Sequence, residues 1–165
     1  MSDQIITDAD RRWMRLAIET CFKGIEAGQT PFGAAIVRTG GDEILATGHN
    51  VVVATTDITA HGEVNTIRIA CKKLGGIDLG GYTIYSTCEP CPMCFSACHW
   101  ANLDRIVFGT SIADAADCGF RELSLSNDQM KSIGGSAIRI TPNCLRDESM
   151  ELFKAWKARA DRRVY

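Results

Sequence analysis

The sequence predicts an α/β protein, a three-layer α/β/α sandwich built on a central mixed sheet of about five strands. Three observations lead there. Two short β-rich runs, 33–38 and 43–47, flank Gly40 and Gly41 and read as a hairpin. Strand, helix and strand then follow one another between Tyr82 and Gly109 at the spacing of a parallel crossover. Helical patterns stand at both ends of the chain and between the strands, so both sheet faces acquire cover.

The first helix is capped by Thr7 or Asp8, carries Met14, Ala17, Ile18, Cys21 and Ile25 on one stripe, and stops at Gly28. After the hairpin, residues 50–59 form a polar, threonine-rich loop. A second helix begins near Ala60 and runs through Ile67, Ile69 and Ala70 to Leu74, where Gly75 and Gly76 end it. The strand 82–86 leads into a cysteine-proline turn, a third helix extends from Pro92 to about Ala101, and 105–109 is the next strand. Residues 112–135 carry weak patterning, with one helical piece around 128–133. A last strand near 137–140 precedes a terminal helix from about Ser149 to Arg162.

At 165 residues the chain suits a single domain spanning 1–165, able to bury a core without disulfides. Its 18 Lys and Arg against 20 acidic residues leave no positive field for collecting nucleic acid or anionic membrane. The expected substrate is therefore small. The polar, acidic opening 1–10 is unlike a secretory leader, and no apolar run reaches membrane-spanning length, so the cytosol is the expected compartment. Eight cysteines would suggest a disulfide framework elsewhere, but Cys21, Cys71, Cys98 and Cys118 lie singly among apolar neighbours, as small buried hydrophobes do. Cys88, Cys91 and Cys94 differ: they recur every third residue around two prolines.

Two short pieces carry the chemistry. His61-Gly62-Glu63 opens the second helix and Pro90-Cys91-Pro92-Met93-Cys94 opens the third. Helix N-termini favour the thiolate that a metal ligand must be, and cysteines at i and i+3 project from one turn toward one ion. One imidazole and two thiolates give three ligands, the count of a catalytic zinc that keeps one position for water. Imidazole plus thiolate also favours Zn²⁺ over harder divalent ions. Two alternatives stand beside this: a closed structural zinc with Cys88 as fourth ligand, and a redox Cys-x-x-Cys pair. Glu63, two residues beyond His61, is placed to lie over the open position without ligating. This pattern resembles that of the zinc deaminases, which implies that hydroxide generated there would attack the amino-bearing carbon of a ring amidine while Glu63 moves the captured proton to the ring nitrogen and then to the leaving amine.

His-x-Glu followed by Pro-Cys-x-x-Cys is the signature of the zinc deaminases. The chain resembles the cytidine deaminase-like superfamily, and within it is most similar to the bacterial guanine deaminases. The likeness runs through Pro31-Phe32-Gly33, Gly48-His49-Asn50, Thr59 to Val64, Thr87 to Cys94, Trp100-Ala101, Asp114-Ala115-Ala116, Gly119-Phe120 and the end from Phe153 to Tyr165. The resemblance implies one zinc per chain and deamination of guanine to xanthine and ammonia. It implies that Asn50 bonds the purine, that Phe32 and Trp100 wall the ring beside Ala60, that Glu122 accepts from the guanine donors, and that Tyr165 closes the pocket. It also implies a homodimer in which the segment from about 149 to 165 is exchanged between subunits. Three departures lie near the substrate edge: Arg121-Glu122 where two acidic residues are usual, Leu123 to Ser126 without aromatic character, and Gly62 where alanine is frequent. They keep other aminated rings (guanosine, cytosine, an aminotriazine) as alternatives. A tRNA adenosine deaminase is a further one, although the only basic cluster is Lys154, Lys157, Arg159, Arg162 and Arg163. A deaminase-like fold kept for binding alone is the last.

Overall fold

A computed structural model describes residues 5–165; the first four residues of the polar opening lie outside it. Helix α1 (Asp8–Glu26) starts at Thr7, whose hydroxyl accepts the Asp10 amide while the Asp10 carboxylate accepts the Thr7 amide, a closed capping box. Strands β1 (Gly33–Arg38) and β2 (Ile44–His49) form the expected hairpin, and β2 runs on to His49 because that residue still pairs with Gly33. A short helix α2 (Val52–Thr55) interrupts the polar loop and leads to α3 (Gly62–Leu74).

Strand β3 (Tyr82–Cys88) is buried along its whole length. Helix α4 (Pro92–Trp100) crosses over to β4 (Arg105–Thr110), which lies parallel to β3 with Cys88 opposite Thr110. Two helices occupy the weakly patterned stretch, α5 (Ile112–Asp117) and α6 (Asn127–Gly134), each opened by a serine capping box. Strand β5 (Arg139–Thr141) joins β4 in parallel, and α7 (Arg146–Lys157) follows. The sheet order is β2-β1-β3-β4-β5, with β1 antiparallel to both neighbours, so it is mixed.

Strand alternation divides the interior into two cores. Ala35, Val37, Tyr85 and Val107 face α1 and α7, where Met14, Ala17, Leu152, Phe153 and Trp156 are buried. Ile36, Ile84, Ile106 and Phe108 face the other way onto Ala70 of α3 and Phe95 and Cys98 of α4. This is the three-layer arrangement expected. The apolar stripe Leu152, Phe153 and Trp156 is covered by α1 and the sheet of the same chain. Helix α7 lies so close to β4 that a Cβ at Gly109 would collide with the Ser149 side chain and the Thr87 carbonyl, which reserves that position for glycine. Beyond Lys157 the chain leaves the helix, earlier than expected, and carries the terminal residue back across the sheet end.

All eight cysteines are free thiols. Among the described residues no helix is long and apolar enough to cross a membrane. A buried ion-pair network ties the first helix to the sheet: the Asp10 carboxylate takes two bonds from the Arg105 guanidinium, at 2.8 and 3.2 Å, and one from the Tyr85 hydroxyl at 2.9 Å.

Candidate active site

The site gathers where β3 ends and two helices begin. His61 is the N-cap of α3 and Cys91 the N-cap of α4, both with extended backbone. That position normally holds a side chain that bonds the free amides of the first turn, worth about 1 kcal/mol. Neither His61 nor Cys91 does so. The His61 ring instead faces the sulfurs of Cys91 and Cys94. Pro92 occupies N1 of α4, where a missing N–H costs nothing, and Cys94 follows on the first turn.

Among the described residues, His61, Cys91 and Cys94 form a cluster whose ligating atoms all lie within 4.8 Å of one another. His61 Nδ1 is 3.6 Å from each of the two sulfurs. Tetrahedral zinc, with bonds of about 2.3 Å to sulfur and about 2.1 Å to nitrogen, requires that separation to be about 3.6 Å. The residues therefore fit zinc. Cys88, the candidate fourth ligand, is buried at the strand end and directs its thiol to the Ser111 carbonyl at 3.4 Å, so it stands outside the cluster.

The electrostatics suit a cation as well. A hydrogen bond from Cys94, aided by His61, pulls the Cys91 thiol down to about 4 against the effect of burial. Cys94, which supplies that proton and is itself buried, is pushed up. A divalent ion in place of the shared proton lets both sulfurs be thiolates. Glu63, only 5% exposed, has its carboxyl raised first by burial and then by the Cys91 charge, with His61 opposing. The Ser86 hydroxyl donates to Glu63 Oε1 at 3.1 Å and holds the carboxylate in place.

Phe32, His61, Glu63, Cys88, Glu89, Cys91 and Glu122 enclose an inner recess. It opens into a cleft of about 390 Å³ lined by Ile58, His61, Cys91, Pro92, Met93, Arg121, Glu122, Leu123 and Tyr165. Glu122 thus reaches the site from a loop far along the chain. Burial, followed by the Cys91 charge, pushes its carboxyl up to about 6. Tyr165 packs its ring 5.6 Å from that of His61 and 5.7 Å from that of Phe120. Its hydroxyl accepts from Asn50 Nδ2 at 2.7 Å and lies 3.3 Å from Thr30 Oγ1.

Asn50 itself is fully buried, with Oδ1 accepting the Val52 amide, and it adjoins the site through Tyr165. Ala60 is buried directly before His61, and its carbonyl accepts the Val51 amide. Gly62 leaves room for the Phe32 backbone, since a Cβ there would stand 3.0 Å from the Phe32 carbonyl oxygen.

Trp100 is the exception. It is 84% exposed at the far end of α4 and does not line the cleft. Six residues beyond Cys94, it lies about 9 Å further along the axis and on the face opposite the buried Cys94, Phe95 and Cys98. Sequence reasoning also missed Ser86, Thr30 and Glu89. Nothing local marks Ser86 or Thr30, whereas Glu89 sits within the cysteine-proline motif.

A three-layer α/β fold with a His/Cys/Cys cluster at two helix starts and a buried glutamate beside it defines a zinc-dependent hydrolytic deaminase. The chain belongs to the family described as the cytidine and deoxycytidylate deaminase zinc-binding region, which matches residues 7–110. It is similar along nearly its whole length to the guanine deaminase of Bacillus subtilis (strain 168), with 36% identity over 154 residues, 93% of this chain and 97% of that protein. A solved guanine deaminase from Nitrosomonas europaea superposes with a TM-score of 0.84 at 27% identity, covering 94% of this chain and 88% of that one. The tRNA-specific adenosine deaminase of Bacillus subtilis (strain 168) is 41% identical, but over 100 residues, 61% of each protein.

Proposed function

We propose that this protein hydrolyses guanine to xanthine and ammonia. The observation that carries the proposal is the pair of carboxylates: Glu63 buried against the His/Cys/Cys cluster, and Glu122 facing the same recess from another element. Two carboxylic groups with raised proton affinity can serve two purposes, one moving protons and one accepting donors from the base.

Zinc, one ion per chain held by His61, Cys91 and Cys94, would supply when bound the Lewis acidity that lets water lose a proton near neutral pH. The side chains do the rest. Glu63 receives the proton removed from water and delivers it to the ring nitrogen beside the amino-bearing carbon. It then takes the proton of the newly added hydroxyl and passes it to the departing amine, so that a carbon–oxygen double bond replaces the carbon–nitrogen bond and ammonia leaves. The Ser86 hydroxyl keeps the carboxylate aimed throughout. Glu122 is an acceptor for the N1–H and amino donors of guanine. Phe32 supplies an apolar wall, Asn50, whose amide also holds the Tyr165 hydroxyl, bonds the purine, and Tyr165 closes the pocket and excludes water.

Similarity to the Bacillus subtilis guanine deaminase extends over 93% of this chain, against 61% for the tRNA-specific adenosine deaminase, and this favours guanine over a tRNA substrate. Two of the basic residues at the end of the chain also have acidic partners, Lys154 with Glu151 and Arg159 with Asp161, which weakens them as an RNA contact. Ammonia release from guanine, guanosine, cytosine, adenine and a tRNA stem-loop separates the readings. Guanine turned over preferentially supports the proposal; silence with guanine and turnover of another member refutes it.

We also assign the protein to the cytosol as a homodimer whose segment from about 149 to 165 is exchanged between subunits. The buried seat of Leu152, Phe153 and Trp156 and the path of Tyr165 into the site are contacts that a partner's segment can make equally well. A light-scattering mass of one chain at micromolar concentration refutes the dimer.

A further inference from the structure

Glu89 stands two residues before Cys91 and outside the ligating cluster, yet both of its carboxylate oxygens are in use. Oε1 accepts the backbone N–H of Asn127 at 2.8 Å, and Oε2 accepts the backbone N–H of Ile112 at 3.2 Å. These are the first residues of α6 and α5, so one side chain satisfies a free amide at each of two helix starts. The neighbouring residue adds a third tie, because the Pro90 carbonyl accepts Asn127 Nδ2 at 2.6 Å.

The two anchored residues bracket the segment that carries Glu122, and Glu89 and Glu122 line the same recess. Within that segment, the Arg121 amide bonds the Tyr165 carbonyl and Phe120 is buried against Phe32 and Trp156. Its two ends, however, are held by the dipeptide that leads into Cys91. We propose that Glu89 is a positioning residue: by clamping both ends of the 112–127 segment to the cysteine turn, it sets where Glu122 stands relative to the metal ligands. A carboxylate suits this task because it accepts on two oxygens at once. Glutamine of the same length offers one acceptor and turns a donor toward the other N–H.

The consequence for turnover rests on the reading of Glu122 as the acceptor for guanine, and the experiment separates the two claims. Wild-type holoenzyme, Glu89→Gln, Glu89→Ala, Glu122→Gln and the Glu89→Gln/Glu122→Gln double variant are compared by zinc content, hydrogen exchange and steady-state kinetics. In the Glu89 variants zinc content stays at the wild-type level and amide exchange rises in 112–127 but not in β1, β3 or β4. KM for guanine rises roughly 10-fold with kcat little changed, the size expected for losing one hydrogen bond to a charged group. The double variant is no worse than Glu122→Gln alone, because both changes act through one contact. Unchanged exchange in 112–127, or losses that add in the double variant, overturns the clamp. Should Glu122→Gln leave KM unaltered while exchange still rises in the Glu89 variants, the clamp stands and the guanine role of Glu122 falls. Glu89→Gln, which keeps one of the two ties, supplies the exchange measurement if Glu89→Ala does not fold.

Discussion

Replacing Glu63 by glutamine exchanges one oxygen for an NH₂ group at constant volume in a buried site. The amide oxygen can still accept from the Ser86 hydroxyl, so the bond at 3.1 Å has an heir. His61, Cys91 and Cys94 are untouched, and zinc content should equal that of the wild type. Removing a buried carboxyl whose proton affinity is raised by its surroundings removes a cost rather than a support, so the melting temperature should not fall. What disappears is proton transfer. One such role contributes about 10²- to 10⁴-fold, and Glu63 acts more than once per turnover, so kcat should drop by at least about 10³-fold, equivalent to about 4 kcal/mol in the barrier. Ammonia release measured against zinc-matched wild type reads this directly. A variant that keeps one tenth of the wild-type rate refutes the role of Glu63.

Three further outcomes follow from the geometry. Asp10→Asn weakens the buried pair with Arg105 and should cost about 3 kcal/mol in urea unfolding near neutral pH. Burial alone would raise the Asp10 carboxyl, but bonds from Thr7, Arg105 and Tyr85 outweigh it and hold it below the ordinary value. Its stabilisation is therefore complete above about pH 4, the unfolded value, and fades as acid carries the pH down through the lower folded value; a wild-type advantage that grows in acid contradicts this. Glu122, pushed up to about 6, accepts donors only when ionised, so KM for guanine should rise as pH falls through that value and Glu122→Gln should be flat there. Parallel KM profiles for the two enzymes remove Glu122 from the substrate edge. Trp100→Ala, at a side chain 84% exposed and outside the cleft, should leave kcat/KM for guanine within about twofold of wild type, as surface substitutions usually do; a tenfold loss would mean the ring reaches substrate after all.

Much of the architecture was legible in local pattern. Amphipathic periodicity located α1 and α3, the paired glycines located the hairpin, and the strand-helix-strand spacing foretold the parallel β3 and β4. The short α5 and α6 were hard to see because six and eight residues carry too little periodicity, although Ser111 with Asp114 and Ser126 with Gln129 are capping boxes that mark both starts. Strand ends moved by a residue or two wherever a neighbour continued to pair, as at His49 and Cys88.

The two halves of the metal site were determined by the sequence itself, because the spacing of two from His61 to Glu63 and of three from Cys91 to Cys94 on a helix start fixes how side chains diverge within one turn, whereas the approach of the imidazole to the two sulfurs, 30 and 33 positions later, is tertiary. Which distant groups meet them was decided only by tertiary structure. Ser86 reaches Glu63 through strand parity, and the phase of α4 turns Trp100 to solvent. Tyr165 meets Asn50 because the end of the chain doubles back across the sheet, and Glu89 finds two helix starts that lie 23 and 38 positions later. Such contacts depend on the facing of whole elements and on where loops return, and neither is encoded in the few residues that surround each partner.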